Sequence, residues 1–223
     1  MSVAIDGPAG AGKSTIAKEV AKKLGWIYID TGAMYRVVAF YCIENNIDLN
    51  NEIKVTEEME NICINLSQIN EVQHIFLNER DVTDEIRTAK ISNGASLVAT
   101  YSAVREKLVS LQRILAKREN VIMDGRDIGT VVLPNAELKI FLTASSCERA
   151  NRRFKEQMQK GIEQPYAEVL EEINKRDELD YKREVSPLKK ADDAIEIDTT
   201  GYPSNMVVDL VLKKLNEIDK SSK

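Results

Sequence analysis

Short apolar runs recur along the chain, and charged segments with helical periodicity fill most of the intervals between them. "SVAID" (2–6), "WIYID" (26–30), "NVIMDG" (120–125), "LKIFLT" (138–143) and "DAIEID" (193–198) each read as a short strand. The amphipathic "KSTIAKEVAKKLG" (13–25) lies between the first two. "GAMYRVVAFYCIEN" (32–45) carries apolar residues on most turns, and "VLEEINKRDELDYKRE" (169–184) is a charged helix pattern. Strands alternating with helices predict an α/β fold, a parallel sheet with helices on both faces. The interval 47–87 breaks the alternation: "ICINLS" and "VQHIFLN" are β-branched-rich runs joined by the polar "QINE", which predicts a small β-rich insertion. Its His74 reads as a surface or packing residue and receives no role. No internal repeat or low-complexity segment occurs, and "DKSSK" (219–223) reads as a frayed tail.

The junction of the first strand and first helix carries the sharpest chemical signal. "GPAGAGKS" (7–14) matches G-x-x-x-x-G-K-[ST] through Gly7, Gly12, Lys13 and Ser14. A glycine-rich turn between strand and helix aims successive backbone N–H groups and a positive helix end at one point, a cradle for polyphosphate. Lys13 would reach the β- and γ-phosphates, and the Ser14 hydroxyl would ligate Mg²⁺.

Composition narrows the class. With 223 residues, 43% of them hydrophobic, and no Pro/Gly/Ser-rich linker, the chain predicts one domain (1–223). The net charge of −5 argues against a sequence-independent nucleic-acid binder, so any anion is small and locally gripped. Cys42, Cys63 and Cys147 are far apart with no Cys-x-x-Cys spacing, and read as buried or half-buried free thiols in a reducing cytoplasm. No apolar run has the length of a membrane span and no signal segment opens the chain, so the expectation is a soluble cytoplasmic protein without a membrane partner. Monomer is the default, since no heptads occur.

A regulatory GTPase also uses this loop. "NKRD" (174–177) fits the guanine signature and "DTTG" (198–201) fits Asp-x-x-Gly, but their order is reversed and the first lies inside a charged helix pattern. The arginines point elsewhere. A kinase acting on a phosphorylated acceptor must bring two anions together, and guanidiniums are natural clamps for them. Arg36 follows "DTGAMY", and Arg126 follows a strand end, where ligands of open α/β sheets gather. Arg149, Arg152 and Arg153 fall at i, i+3, i+4, and Arg176, Asp180 and Arg183 at i, i+4, i+7, each set on one face of a helix; solvated salt-bridged surface is the competing reading.

Taken together, "IDGPAGAGKST", "DTGAMYR", "VTDEIRT", "GRDIGTVVLPNAELKIFLTASSCERANRR" and "RDELDYKREVSPLKKADDAIEIDTT" resemble the bacterial cytidylate kinases, P-loop nucleoside monophosphate kinases, along essentially the whole chain. The resemblance implies a P-loop kinase fold with a helical lid (146–162), in which 47–87 is a monophosphate-binding insertion that covers the acceptor. It implies transfer of the γ-phosphoryl of ATP, with Mg²⁺, to CMP or dCMP, with no nucleic-acid polymer as partner. Gly7, Pro8, Ala9, Gly10, Ala11, Gly12, Lys13, Ser14 and Thr15 would hold ATP, with Arg152 beside them. Lys13, Arg126, Arg149, Arg153 and Arg183 would act on the transferring group. Arg36, Arg126 and Arg183 would hold the CMP phosphate, Arg176, Asp180 and Thr31 the sugar, and Ser96, Arg105 and Asp127 the cytosine. A carboxylate can accept from the cytosine amine, and it would be left unpaired against uracil O4. The acceptor phosphate is largely dianionic at neutral pH, so no strong general base is needed. UMP, AMP and shikimate are the alternative acceptors.

Overall fold

The computed structural model describes residues 1–69, 72–117 and 119–221, the side chains of 219–221 excepted. In chain order the elements are β1 (Ser2–Asp6), α1 (Lys13–Leu24), β2 (Ile27–Asp30), α2 (Thr31–Glu44), α3 (Glu52–Glu58), β3 (Ile64–Ile69), β4 (Val72–Leu77), β5 (Arg80–Asp81), α4 (Ala89–Val98), α5 (Ser102–Ala116), β6 (Val121–Gly125), β7 (Leu138–Thr143), α6 (Ser146–Gln159), α7 (Tyr166–Lys182), β8 (Ile195–Asp198) and α8 (Ser204–Ser221). The chain divides into two compact units, Met1–Tyr28 with Glu119–Lys223, and Ile29–Arg118.

The first unit is built on a five-stranded sheet of order β2-β6-β1-β7-β8. β1 pairs in parallel with β6 (Val3 opposite Ile122) and with β7 (Val3 opposite Leu138), and β7 pairs in parallel with β8. Residues on both faces of β1 and β6 are buried, as strands of a covered parallel sheet require. On one face Val3, Ile5, Ile122, Leu138, Ile140 and Leu142 meet Ile16, Ala17 and Val20 of α1 and Val207, Val208 and Val211 of α8. At about 1.5–3 kcal/mol for each large side chain removed from water, this layer anchors the strand ends that carry the site. Helix α1 buries one stripe, carries Lys22 and Lys23 in its last turn, and stops at Gly25, whose left-handed backbone lets its N–H cap the final carbonyls. The α6–α7 pair has its own small apolar contact among Ala150, Val169 and Ile173, flanked by Phe154.

The second unit packs α2 and α4 with an antiparallel sheet of order β3-β4-β5. Asn65 lies opposite Phe76 in its hairpin. α2 is apolar around most of its circumference, and nine of its 14 residues are buried. His74 pairs with Asp81 at 2.6 Å on the exposed side of this sheet.

Several expectations are corrected. The β-rich insertion is present as β3, β4 and β5, but the interval also holds helix α3, Glu52–Glu58, whose one buried side chain, Val55, is too little for an amphipathic pattern to register. Gln68 and Ile69 of "QINE" extend β3, and residues 70 and 71 lie outside the described residues. The expected tail at 219–223 is helical through Ser221, and residues 222 and 223 lie outside the described residues. Cys63 and Cys147 are exposed rather than buried, whereas Cys42 is buried and all three are free. Arg183 does not share the helical face of Arg176 and Asp180: α7 ends at Lys182, and Arg183 is extended at φ −59°, ψ 138°.

Candidate active site

The phosphate loop leaves β1 through Gly7, whose φ of 146° suits glycine, and where a Cβ would lie 2.0 Å from the carbonyl oxygen of Leu142. The loop closes on Gly12, the N-cap of α1, which offers no side-chain oxygen to the first-turn N–H groups of the helix. Those donors and the positive end of the helix dipole form an anion site. Lys13, only 6% exposed, donates from Nζ to the carbonyl of Pro8 at 2.8 Å. Burial is the main cause that pushes its pKa down to about 7, Arg126 adds to it, and Asp124 and Asp180 oppose it.

Carboxylates at strand ends organise the surroundings. Asp124, near the end of β6, accepts from the Ser14 hydroxyl at 2.8 Å and from the Tyr28 hydroxyl at 2.8 Å. Hydroxyl and carboxylate oxygens are hard donors of the kind Mg²⁺ prefers, so Ser14 and Asp124 together fit that ion. Asp6, at the end of β1, accepts backbone N–H bonds from Ile128 and Gly129, both at 2.7 Å. Burial nevertheless raises its pKa to about 6.

The expected acceptor-side residues of the first unit occur as guanidinium–carboxylate pairs. Arg126 donates from Nε to Asp180 at 2.6 Å and from Nη1 to the carbonyl of Gly125. Burial works against both charges in this pair. Their mutual attraction outweighs it, so the Arg126 pKa is raised and the Asp180 pKa lowered, with Arg176 and Arg183 also favouring the carboxylate. Arg183 lies 3.7 Å from Asp127, and its Nε donates to the carbonyl of Ser186. On α6, Arg152 donates to Glu148 and, through both terminal nitrogens, to Thr199, whereas Arg153 is half-buried. Arg149 is buried and pairs with Asp177 on α7.

In the second unit Asp30 caps α2 by accepting from the Ala33 N–H and holds Arg36 at 2.7 Å. The buried Nε of Arg36 has no hydrogen-bond partner. Arg105 is buried, donates to the carbonyl of Ala99 and sits 5.7 Å from the centre of the Tyr35 ring. Ser96 bonds back to the carbonyl of Ser92, and Thr31 is buried at the start of α2.

The family model described as cytidylate kinase matches residues 3–217. The chain belongs to the cytidylate kinase family. It is 51% identical over 217 residues to the cytidylate kinase of Bacillus subtilis, covering 97% of both chains, and 51% identical over 220 residues to that of Bacillus pumilus, covering 99% of this chain and 98% of the other. Among solved structures it shares its fold with an uncharacterized protein from Eubacterium ventriosum (TM-score 0.55, 12% identity, 97% and 98% of the chains) and a gluconokinase from Sinorhizobium meliloti (TM-score 0.50, 17% identity, 99% and 94%). Membership in the cytidylate kinase family leaves the GTPase reading without support. The "NKRD" letters lie within α7, where Asp177 is engaged by Arg149 rather than presented on a loop. Among the described residues no helix is long and apolar enough to cross a membrane.

Sequence reasoning missed Asp124. The available signal was a carboxylate ending an apolar run, "VIMDG", in a strand that proves to lie beside β1. It also missed Tyr28, whose hydroxyl fixes the second oxygen of that carboxylate.

Proposed function

We propose that this cytidylate kinase family member transfers the γ-phosphoryl of ATP to CMP or dCMP, giving ADP and the diphosphate. The observation that carries the reading is the phosphate loop with its buried Lys13 and open helix end, beside the Ser14–Asp124 pair. Backbone N–H groups of residues 7–15 and Lys13 hold the donor's phosphates, and Ser14 with Asp124 holds Mg²⁺, which supplies charge neutralisation. Lys13 takes up a full positive charge as polyphosphate arrives, because an adjacent anion offsets the burial that lowers its pKa. Arg152 and Arg153 on α6, within the 146–162 lid, add charge at the transferring group and exclude water.

Arg126 and Arg183 clamp the acceptor phosphate. The hydrogen bonds from Arg126 to Asp180 and from Arg183 to the carbonyl of Ser186 keep the guanidiniums oriented beforehand, which lowers the ordering cost of binding. Arg176 and Asp180 face the sugar, and Asp127 accepts from the cytosine amine. Thr31, Arg36, Ser96 and Arg105 of the second unit keep the sugar, phosphate and base assignments that the resemblance implies, and 47–87 is the acceptor's cover. No histidine or cysteine is needed as a base, since alignment and charge neutralisation suffice for a phosphate nucleophile.

The test follows ADP release with ATP and Mg²⁺ on CMP, dCMP, UMP, AMP and shikimate side by side. Strong turnover on CMP and dCMP alone is expected. Turnover on another acceptor would leave the loop assignment standing and remove Ser96, Arg105 and Asp127 from base recognition.

A further inference from the structure

Three carbonyls of the phosphate loop lie against side-chain donors. Lys13 Nζ donates to Pro8 O, Arg149 Nη1 to Ala9 O at 3.0 Å, and the Thr199 hydroxyl lies 3.2 Å from Ala11 O. In a planar trans peptide the C=O and the following N–H point in opposite directions. Fixing the Ala9 carbonyl on one side therefore fixes the Gly10 N–H on the other, where an anion can meet it.

Arg149 is the most committed of the three donors. Its side chain is 5% exposed. Nε donates to Ala144 O at 2.9 Å, Nη1 to Asp177 Oδ1 at 3.0 Å, and Nη2 to Asp177 Oδ2 at 2.5 Å. With the bond to Ala9, four of its five N–H groups are engaged with the protein. The two parallel bonds that the guanidinium donates to Asp177 lock its plane and so aim Nη1 at the loop. The loop approaches Arg149 so closely that a Cβ on Gly10, at φ 76°, would lie 3.0 Å from the Arg149 Cβ.

We propose that Arg149 and Asp177 form a fixed brace behind the phosphate loop, and that Asp177 is a positioning residue for the phosphate donor. The proposal rests on reading the loop as the ATP site. It gives Arg149 a different task from the one the resemblance implies, holding the loop rather than closing over the transferring group. Without Asp177 the guanidinium can swing, Ala9 O loses its oriented donor, and the Ala9–Gly10 peptide is free to turn its N–H away from the anion.

The experiment measures donor and acceptor KM, and the Kd of inorganic tripolyphosphate, for the wild type, Asp177→Asn, Arg149→Lys and the double variant. Asp177→Asn should raise the donor KM and the tripolyphosphate Kd about tenfold, the scale of one lost hydrogen bond to a charged group. The CMP KM should stay within about twofold, and the double variant should lose no more than the worse single one, as residues acting as one unit do. Unchanged tripolyphosphate affinity in Asp177→Asn, losses that multiply in the double variant, or a fall in kcat at unchanged donor affinity would each overturn the brace. Should Asp177→Asn not fold, Arg149→Lys answers the same question: its tripolyphosphate Kd rises if the brace exists and is unchanged if it does not. A wild-type protein that binds neither ATP nor tripolyphosphate would instead overturn the loop assignment, and the brace with it.

Discussion

Lys13 is an ammonium held in a place that disfavours its charge, and the cost is measurable in the nucleotide-free protein. Its pKa falls from 10.5 to about 7, which at about 1.4 kcal/mol per tenfold change in proton affinity is about 5 kcal/mol at full titration. Below about pH 7 the lysine is protonated in both folded and unfolded chains, and burial weighs fully against folding. From about pH 7 to 10.5 the folded protein holds fewer protons than the unfolded chain, so stability rises with pH. Lys13→Met keeps the length of the side chain and removes the charge. The variant should be more stable than the wild type at pH 6, and its advantage should shrink by about 3 kcal/mol by pH 9 as the wild type sheds its proton. Urea unfolding of both proteins without nucleotide, at matched ionic strength, reads this directly. A stability difference that is the same at pH 6 and pH 9 would refute the reasoning, because a lysine of ordinary pKa gives no such slope. The variant should lose phosphoryl transfer altogether, an exchange of function for stability common at active sites.

Three other outcomes are expected. Gly7→Ala should lower stability by about 3 kcal/mol or more, seen in the urea midpoint, since the new Cβ meets the Leu142 carbonyl at 2.0 Å. Asp6, with its pKa raised to about 6, contributes stability as the protonated acid that is lost as pH rises through 6; Asp6→Asn should therefore gain about 1 kcal/mol relative to the wild type between pH 5 and pH 7 in the same assay. Asp127→Asn should erode the preference for CMP over UMP about tenfold in kcat/KM, and an unchanged ratio would place base reading on other residues.

The phosphate loop was legible because all of its chemistry is local: eight residues supply the turn, the helix end, the lysine and the hydroxyl. The centre of the parallel sheet was legible because β1 and β6 are buried on both faces and so appear as apolar runs, whereas the edge strand β8, "IEID", alternates. Asp124 was not, because the partner that gives it meaning, Ser14, is 110 residues away and a carboxylate after an apolar run is common. Asp177 was hidden differently. Its letters suggested a guanine signature, and only the packing of α6 on α7 shows it bound to Arg149. The spacing of Arg176, Asp180 and Arg183 continued a helical period past the end of the helix, where Arg183 turns to bond Ser186.

The three cysteines differ in a way that experiment can exploit. Cys42 is buried, and burial pushes its thiol up to about 11, so it holds almost no thiolate at neutral pH and resists alkylation. Cys63 and Cys147 are exposed, and one belongs to each compact unit. Maleimide dyes should therefore attach to the unaltered chain at two positions only. That gives a donor and an acceptor fluorophore, one per unit, whose energy transfer can be followed as nucleotides are added without introducing or removing a single residue.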